Sequence, residues 1–109
     1  MSLIFHLNPN SKNGMKVEVL EIRLVHSDKT KAYIDLKFGD IVIRDFRVMK
    51  ENGKRPYVKL PFTTYKDQTG HLNFRQIVVL PDEVRGEIDL AILNAYQGEL
   101  EKNYETQKT

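Results

Sequence analysis

Seven cations, Lys50, Lys54, Arg55, Lys59, Lys66, Arg75 and Arg85, are the residues of this sequence whose type and spacing point to chemistry. The first four fall between Lys50 and Lys59, with Glu51 the only carboxylate among them. Long cationic side chains strung along one surface neutralise successive phosphates and release the counterions condensed on a nucleic acid. Tyr57 and Tyr65 are interleaved with them, and an aromatic ring beside a cation is suited to stacking on an unpaired base. The competing account is a solvated hairpin tip, which any soluble protein can carry.

Three neighbouring charges read differently. Asp45 and Arg47 stand two apart in an extended run and so share a strand face. With Arg44 beside them, they are expected to make an ion pair within the sheet or across a dimer, ahead of contact with a ligand. Arg85, one turn into an expected helix, faces phosphate or pairs with Asp82, Glu87 or Asp89.

Other chemistries find little support. His6, His26 and His71 are scattered, no two of them at metal-ligand spacing. The glycines are isolated, so no phosphate-cradling loop is present. The chain has no cysteine, which excludes disulfides, thiol catalysis and thiolate-bound metal. Asp35 and Asp45 can be drawn as a carboxylate pair, but carboxylates on neighbouring strands are ordinary. The expectation is a protein that is not an enzyme and uses no cofactor or metal.

The charge is unevenly laid out behind its net +2. Residues 41–81 hold eight Lys or Arg against three Asp or Glu, whereas residues 82–109 hold three against seven. A basic middle and an acidic end assign an anionic partner to one face and keep it off another. The 109-residue length, 29% charged and 40% apolar content describe one globular domain with its own core. The first apolar run, Leu3 to Leu7, is too short for a signal segment or a membrane span. A cytoplasmic protein with no membrane partner is expected.

The elements that must position the cations are mostly strands. Residues 1–14 read as an N-terminal extension or a leader, turn-rich from Asn8 to Gly14, with Leu3 to Leu7 able to add an edge strand or to pack on a partner. Lys16 to Val25 is a strand whose apolar parity changes, Val17 and Val19 first, then Leu20, Ile22 and Leu24. A β-bulge near Val19-Leu20 reconciles the two phases, because one extra residue flips the face of every later side chain. Lys31 to Phe38 alternates cleanly, with Ala32, Ile34, Leu36 and Phe38 on one face. Gly39-Asp40 then suits a two-residue turn into Ile41. Asn52-Gly53 suits a tight hairpin turn between the strand ending near Met49 and a fourth strand, Tyr57 to Phe62. Pro61 cannot donate to a ladder, so that strand lies at an edge or stops there. Thr63 to Leu72 reads as a loop, and Leu72 to Leu80 as a short fifth strand or an extended lead-in. Val84, Ile88, Ala91, Ile92, Ala95 and Tyr96 recur at helical period behind Pro81, and the acidic Asp82, Glu83 and Glu87 suit the helix start. Gly98 is expected to end the helix, leaving 98–109 as an acidic tail, either mobile or a frayed continuation of the helix, on a domain of residues 15–97. The fold class is α+β: an antiparallel meander of four to five strands with a C-terminal amphipathic helix packed on it.

The order of these segments resembles the stage V sporulation protein G (septation regulator) family. The similarity runs from Met15-Lys16-Val17-Glu18-Val19 through Ile43-Arg44-Asp45-Phe46-Arg47-Val48, Asn52-Gly53 and Tyr57-Val58-Lys59-Leu60-Pro61. It continues in Gly70-His71-Leu72-Asn73-Phe74-Arg75 and ends in Arg85-Gly86-Glu87-Ile88 and Ala91 to Tyr96. The resemblance implies a dimeric sheet-plus-helix fold that binds DNA, and in some members RNA, to regulate gene expression, without catalysis. A homodimer formed through sheet edges is the expected assembly. The alternative is a protein-interaction module of the same fold, favoured by Asp82-Glu83 at the helix entry and by Phe62-Thr63-Thr64-Tyr65 where the family carries a more basic loop.

Overall fold

The structure, a computed structural model, describes the backbone of residues 3–6 and 16–108 and the side chains of residues 16–103. The turn-rich segment expected from Asn8 to Gly14 lies outside the described residues. Among the described residues seven strands precede one helix: β1 (Leu3–His6), β2 (Lys16–Leu24), β3 (Thr30–Phe38), β4 (Ile41–Met49), β5 (Tyr57–Lys59), β6 (Phe62–Lys66), β7 (Leu72–Gln76) and α1 (Asp82–Lys108). β1 to β5 form one antiparallel sheet in sequence order, and β6 and β7 form a separate two-stranded arm. The fold is therefore α+β, a meander with a C-terminal helix.

The alternating apolar residues of β3 and β4 build one wall of the core: Ala32, Ile34, Leu36, Phe46 and Val48 are all fully buried. α1 supplies the other wall. Ile88, Ala91, Ile92, Ala95 and Tyr96 are buried against the sheet, which α1 meets at β2, β4 and β5. Val84, at the start of the same stripe, is partly buried beside that core. Among the described residues no helix covers the opposite face of the sheet.

β2 changes phase where the sequence says it must. Val19 pairs with Leu36 and Glu21 with Asp35, so Leu20 is the extra residue. The two-residue turn at Gly39-Asp40 also forms, with Gly39 at φ 61 and Phe38 paired to Ile41.

Three elements differ from the expectation. Asn52-Gly53 does not make a two-residue hairpin: β4 ends at Met49 and β5 begins at Tyr57. Lys54 N–H donates to the Glu51 carbonyl at 3.1 Å, and only Gly53 of the central pair has positive φ, at 77. That is a type II pattern inside a longer connection, not the doubly left-handed turn a two-residue Asn-Gly loop needs. The fourth strand does not run on to Phe62. It stops at Lys59, because Pro61 has no N–H to give, and the chain turns away into β6. Residues 63–72 are accordingly not a loop. They hold β6, a connection around Asp67 to Gly70 and the first residue of β7.

Helical backbone also continues past Gly98 to Lys108. Glycine ends a helix by adopting positive φ, and Gly98 is not among the glycines that do so. Gly86 and Gly98 instead weaken an intact helix. Neither has any neighbour within 4 Å of an added Cβ. Gly86→Ala is expected to raise stability by about 0.5–1 kcal/mol, read as a higher urea midpoint at unchanged slope. A lower midpoint would show that the first turn of α1 is held by something other than its backbone.

Candidate nucleic-acid interface

The helix-free sheet face is organised by one buried carboxylate. Asp35 is 2% exposed, although its position in the alternation of β3 puts it on the face away from α1. Both neighbouring strands bulge beside it: Leu20 is extra on β2, and Arg44 and Asp45 together fill the place opposite Asp35 on β4. Asp45 takes φ 66, where such a bulge usually has glycine. Its amide is thereby turned inward and donates to Asp35 Oδ1 at 3.1 Å. Arg23 donates to Asp35 at 3.1 Å and also reaches Glu21 and Asp45, each at 2.9 Å; Arg44 adds a bond to Asp35 at 3.2 Å. Burial by itself would push the Asp35 carboxyl up, but the bonds from Arg23 and from the Asp45 amide outweigh it and hold the group below its ordinary range. The expected Asp45–Arg47 pair does not form, because the bulge turns Asp45 toward Arg23.

One register step away, the face changes character. Arg23 pairs with Tyr33, Tyr33 with Arg47, and Arg47 with Lys59, giving one row across four strands. The Arg47 guanidinium lies 5.2 Å from the Tyr33 ring centre and 4.3 Å from that of Phe62. Lys59 Nζ lies 4.5 Å from the Phe62 ring and 5.3 Å from the Phe74 ring. Phe62 and Phe74 meet edge to face, their centres 6.1 Å apart. Cations held over ring faces gain from the ring quadrupole while keeping their charge available to an outside anion.

A cleft of about 230 Å³ opens where β5, the arm and the start of α1 meet, lined by Tyr57, Lys59, Phe62, Phe74, Gln76 and Arg85 among others. Arg85 is fixed there by donating to the Val58 carbonyl at 2.9 Å and by pairing with Asp89 at 3.5 Å. Burial pushes the Asp89 carboxyl up, and Arg85 opposes the shift in part.

The seven candidate cations fall into three groups. Lys59 and Arg85 share the cleft. Lys50, Lys54 and Arg55 belong to the connection before β5; at the rise of a strand, Arg55 and Lys59 are within about 13 Å of one another. Lys66 and Arg75 lie on the arm but on opposite faces of it. Lys66 pairs with Leu72 and so shares the alternation of Phe62, Phe74 and Gln76, whereas Arg75 pairs with Thr63 and shares that of Tyr65. Lys54 is engaged by Glu51 at 3.1 Å and Arg85 by Asp89. Lys50, Arg55, Lys59, Lys66 and Arg75 make no ion pair among the described residues.

Sequence reasoning assigned Arg47 to structure and did not join Tyr33 and Phe74 to the site. A signal was present. The apolar parity of β4 switches between Ile43 and Phe46 just as that of β2 does, and a second bulge realigns Arg47 with Tyr33 and Lys59. Among the described residues no group of three potential metal ligands occurs, and no helix is long and apolar enough to cross a membrane. Compared with known proteins, the chain matches no family model, no curated protein and no solved structure.

Proposed function

We propose that this chain is a small nucleic-acid-binding regulator of gene expression that grips the phosphate backbone through the β4–β5 connection, β5 and the adjoining face of the arm. The observation that carries this reading is the contrast in how cations are used. Arg23 and Arg44 are consumed by Asp35, while Lys50, Arg55, Lys59, Lys66 and Arg75 have no carboxylate partner among the described residues. Leaving that many like charges unpaired costs self-repulsion, which a polyanion relieves wherever they fall within its reach, Lys66 and Arg75 doing so from opposite faces of the arm. Of the seven candidates only Arg85 stands on the acidic α1, which packs behind the sheet and brings its first turn to the cleft. The resemblance to the septation regulators points the same way and adds DNA and RNA, while the lack of cysteine fits a cytoplasmic setting.

The same reading makes the protein a homodimer. β1 and β5 are the edges of the sheet, and an isolated two-stranded arm is marginal in water. Ile77 and Val79, just after the arm, are both more than 60% exposed, and pairing of two copies at the edges would cover such residues.

A salt titration tests the reading. With about four to six phosphates neutralised, the logarithm of the binding constant for mixed-sequence duplex DNA is expected to fall with log salt at a slope of roughly −4 to −5. Light scattering on the same sample reports the mass in solution. A flat salt dependence, or no binding to duplex or to single strands at about 50 mM salt, removes the nucleic-acid reading. It would leave the alternative of a protein-interaction module.

A further inference from the structure

We propose that the cleft between β5, the arm and the start of α1 is a single-stranded nucleic-acid subsite, which receives one unpaired base against Phe74 and Tyr57 while Lys59 and Arg85 meet the flanking phosphates. The inference rests on the nucleic-acid reading and sharpens it, because phosphate contacts alone do not distinguish a duplex from a single strand. Three observations carry it.

First, the lining has the chemistry of a nucleotide and of little else. Tyr57, Phe62 and Phe74 present rings, Lys59 and Arg85 present cations, and Gln76 offers an amide that can donate and accept at a base edge. An acidic peptide would use the cations and leave three rings idle. Second, the rings are held and yet open. Lys59 and Arg47 sit over Phe62, and Phe62 stands edge-on to Phe74, so both rings are oriented before any ligand arrives. Phe74 nevertheless keeps 68% of its surface and Tyr57 49% exposed to solvent, and large exposed rings without a core role are unfavourable unless something stacks on them. Third, the scale excludes paired bases. A cleft of about 230 Å³ admits a base that leaves its stack, whereas bases inside a duplex have both faces covered by their neighbours. The row Arg23–Tyr33–Arg47 continues from the cleft across the sheet. A strand leaving the subsite would therefore meet a further ring and a further cation.

The experiment compares poly(dT), poly(U) and a mixed-sequence DNA duplex on the full chain, by fluorescence anisotropy, for the unchanged protein, Phe74→Ala and Phe74→Trp. Loss of one base-stacking contact is expected to weaken both single strands roughly 10- to 100-fold in Phe74→Ala. Duplex affinity should stay within twofold and the mass in solution should not change, and Phe74→Trp should restore single-strand binding. A preference for poly(U) over poly(dT) assigns the subsite to RNA, and the reverse preference to DNA; either supports it. If Phe74→Ala weakens single strands and duplex equally, changes the mass, or leaves single-strand affinity untouched, the subsite is overturned and backbone binding survives. If the unchanged protein binds none of the three probes, the nucleic-acid reading itself falls, and the subsite falls with it.

Discussion

Reversing Lys54 and Arg55 together, as Lys54→Glu with Arg55→Glu, is expected to weaken binding to duplex and single strand alike by roughly 100-fold at about 50 mM salt. Each phosphate contact contributes about 0.9 to the slope of log binding constant against log salt, which amounts to about 1.2 decades at that concentration. Two contacts account for the hundredfold loss, and the slope should become shallower by about 2. Both residues are exposed in the β4–β5 connection. The only ion pair between them and the rest of the described residues is Lys54 with Glu51, an exposed contact of the kind that contributes little. Folding stability should therefore hold within about 0.5 kcal/mol, and the variant isolates charge from fold. The loss should be the same for every sequence tested, since phosphates carry no sequence information. Affinity and slope both unchanged would remove the connection from the interface. A loss confined to single strands would place these cations in the base subsite and not on the backbone track.

The largest effect on stability is expected from Arg23→Met. Arg23 bridges Asp35, Asp45 and Glu21, and its removal strands a carboxylate that is 97% buried at the side chain. Breaking a buried pair from one side costs about 3–5 kcal/mol. Asp35 keeps Arg44 and the Asp45 amide, so the lower end of that range, about 3 kcal/mol, is expected at neutral pH. The pH dependence identifies the cause. Asp35 is held below its ordinary value of 3.8 in the folded chain. A group depressed in this way contributes stability that is present above its unfolded value and lost as pH falls through its folded value. In Arg23→Met the carboxyl rises toward or above the unfolded value, so the gap between the variant and the unchanged protein should be widest near neutrality. It should narrow below about pH 4, where the stranded group is neutral. A companion, Arg23→Met with Asp35→Leu, removes both charges and should recover much of the loss, because a buried pair replaced by apolar groups is often neutral. Urea melts at neutral and acid pH measure all three. A loss below about 1 kcal/mol, or one that does not change with pH, would show that Arg23 is a surface residue with an ordinary exposed pair.

Much of this architecture was legible in the chain itself. Clean alternation in Lys31 to Phe38 fixes which face of β3 is buried, since a period of two allows only one choice. The phase change at Val19-Leu20 required a bulge, and one is there. The helical stripe from Val84 to Tyr96 placed α1 on that buried face, because its apolar residues are close in sequence and need no distant partner to be recognised. Gly39-Asp40 set its turn for the same local reason. The uneven charge between residues 41–81 and 82–109 was equally plain.

What the chain did not disclose depends on contacts between residues far apart in sequence. The strand after Asn52-Gly53 stops at Lys59, and Phe62–Lys66 becomes the first strand of a separate arm, because Pro61 breaks the ladder while β7 offers β6 a second one. Local preference cannot choose between a loop and a strand whose partner is still to come. Arg47 and Asp45, two apart, were expected to meet, and the β4 bulge separates them: Asp45 goes to Arg23, and Arg47 to Tyr33 and Phe62. Composition determined that this protein holds a surplus of mid-chain cations; only the register of four strands and the direction taken by the arm decided that Lys59 and Arg85 would share a cleft with three rings. A side chain's type is fixed by its own codon, whereas its neighbours are fixed by where every other strand has paired.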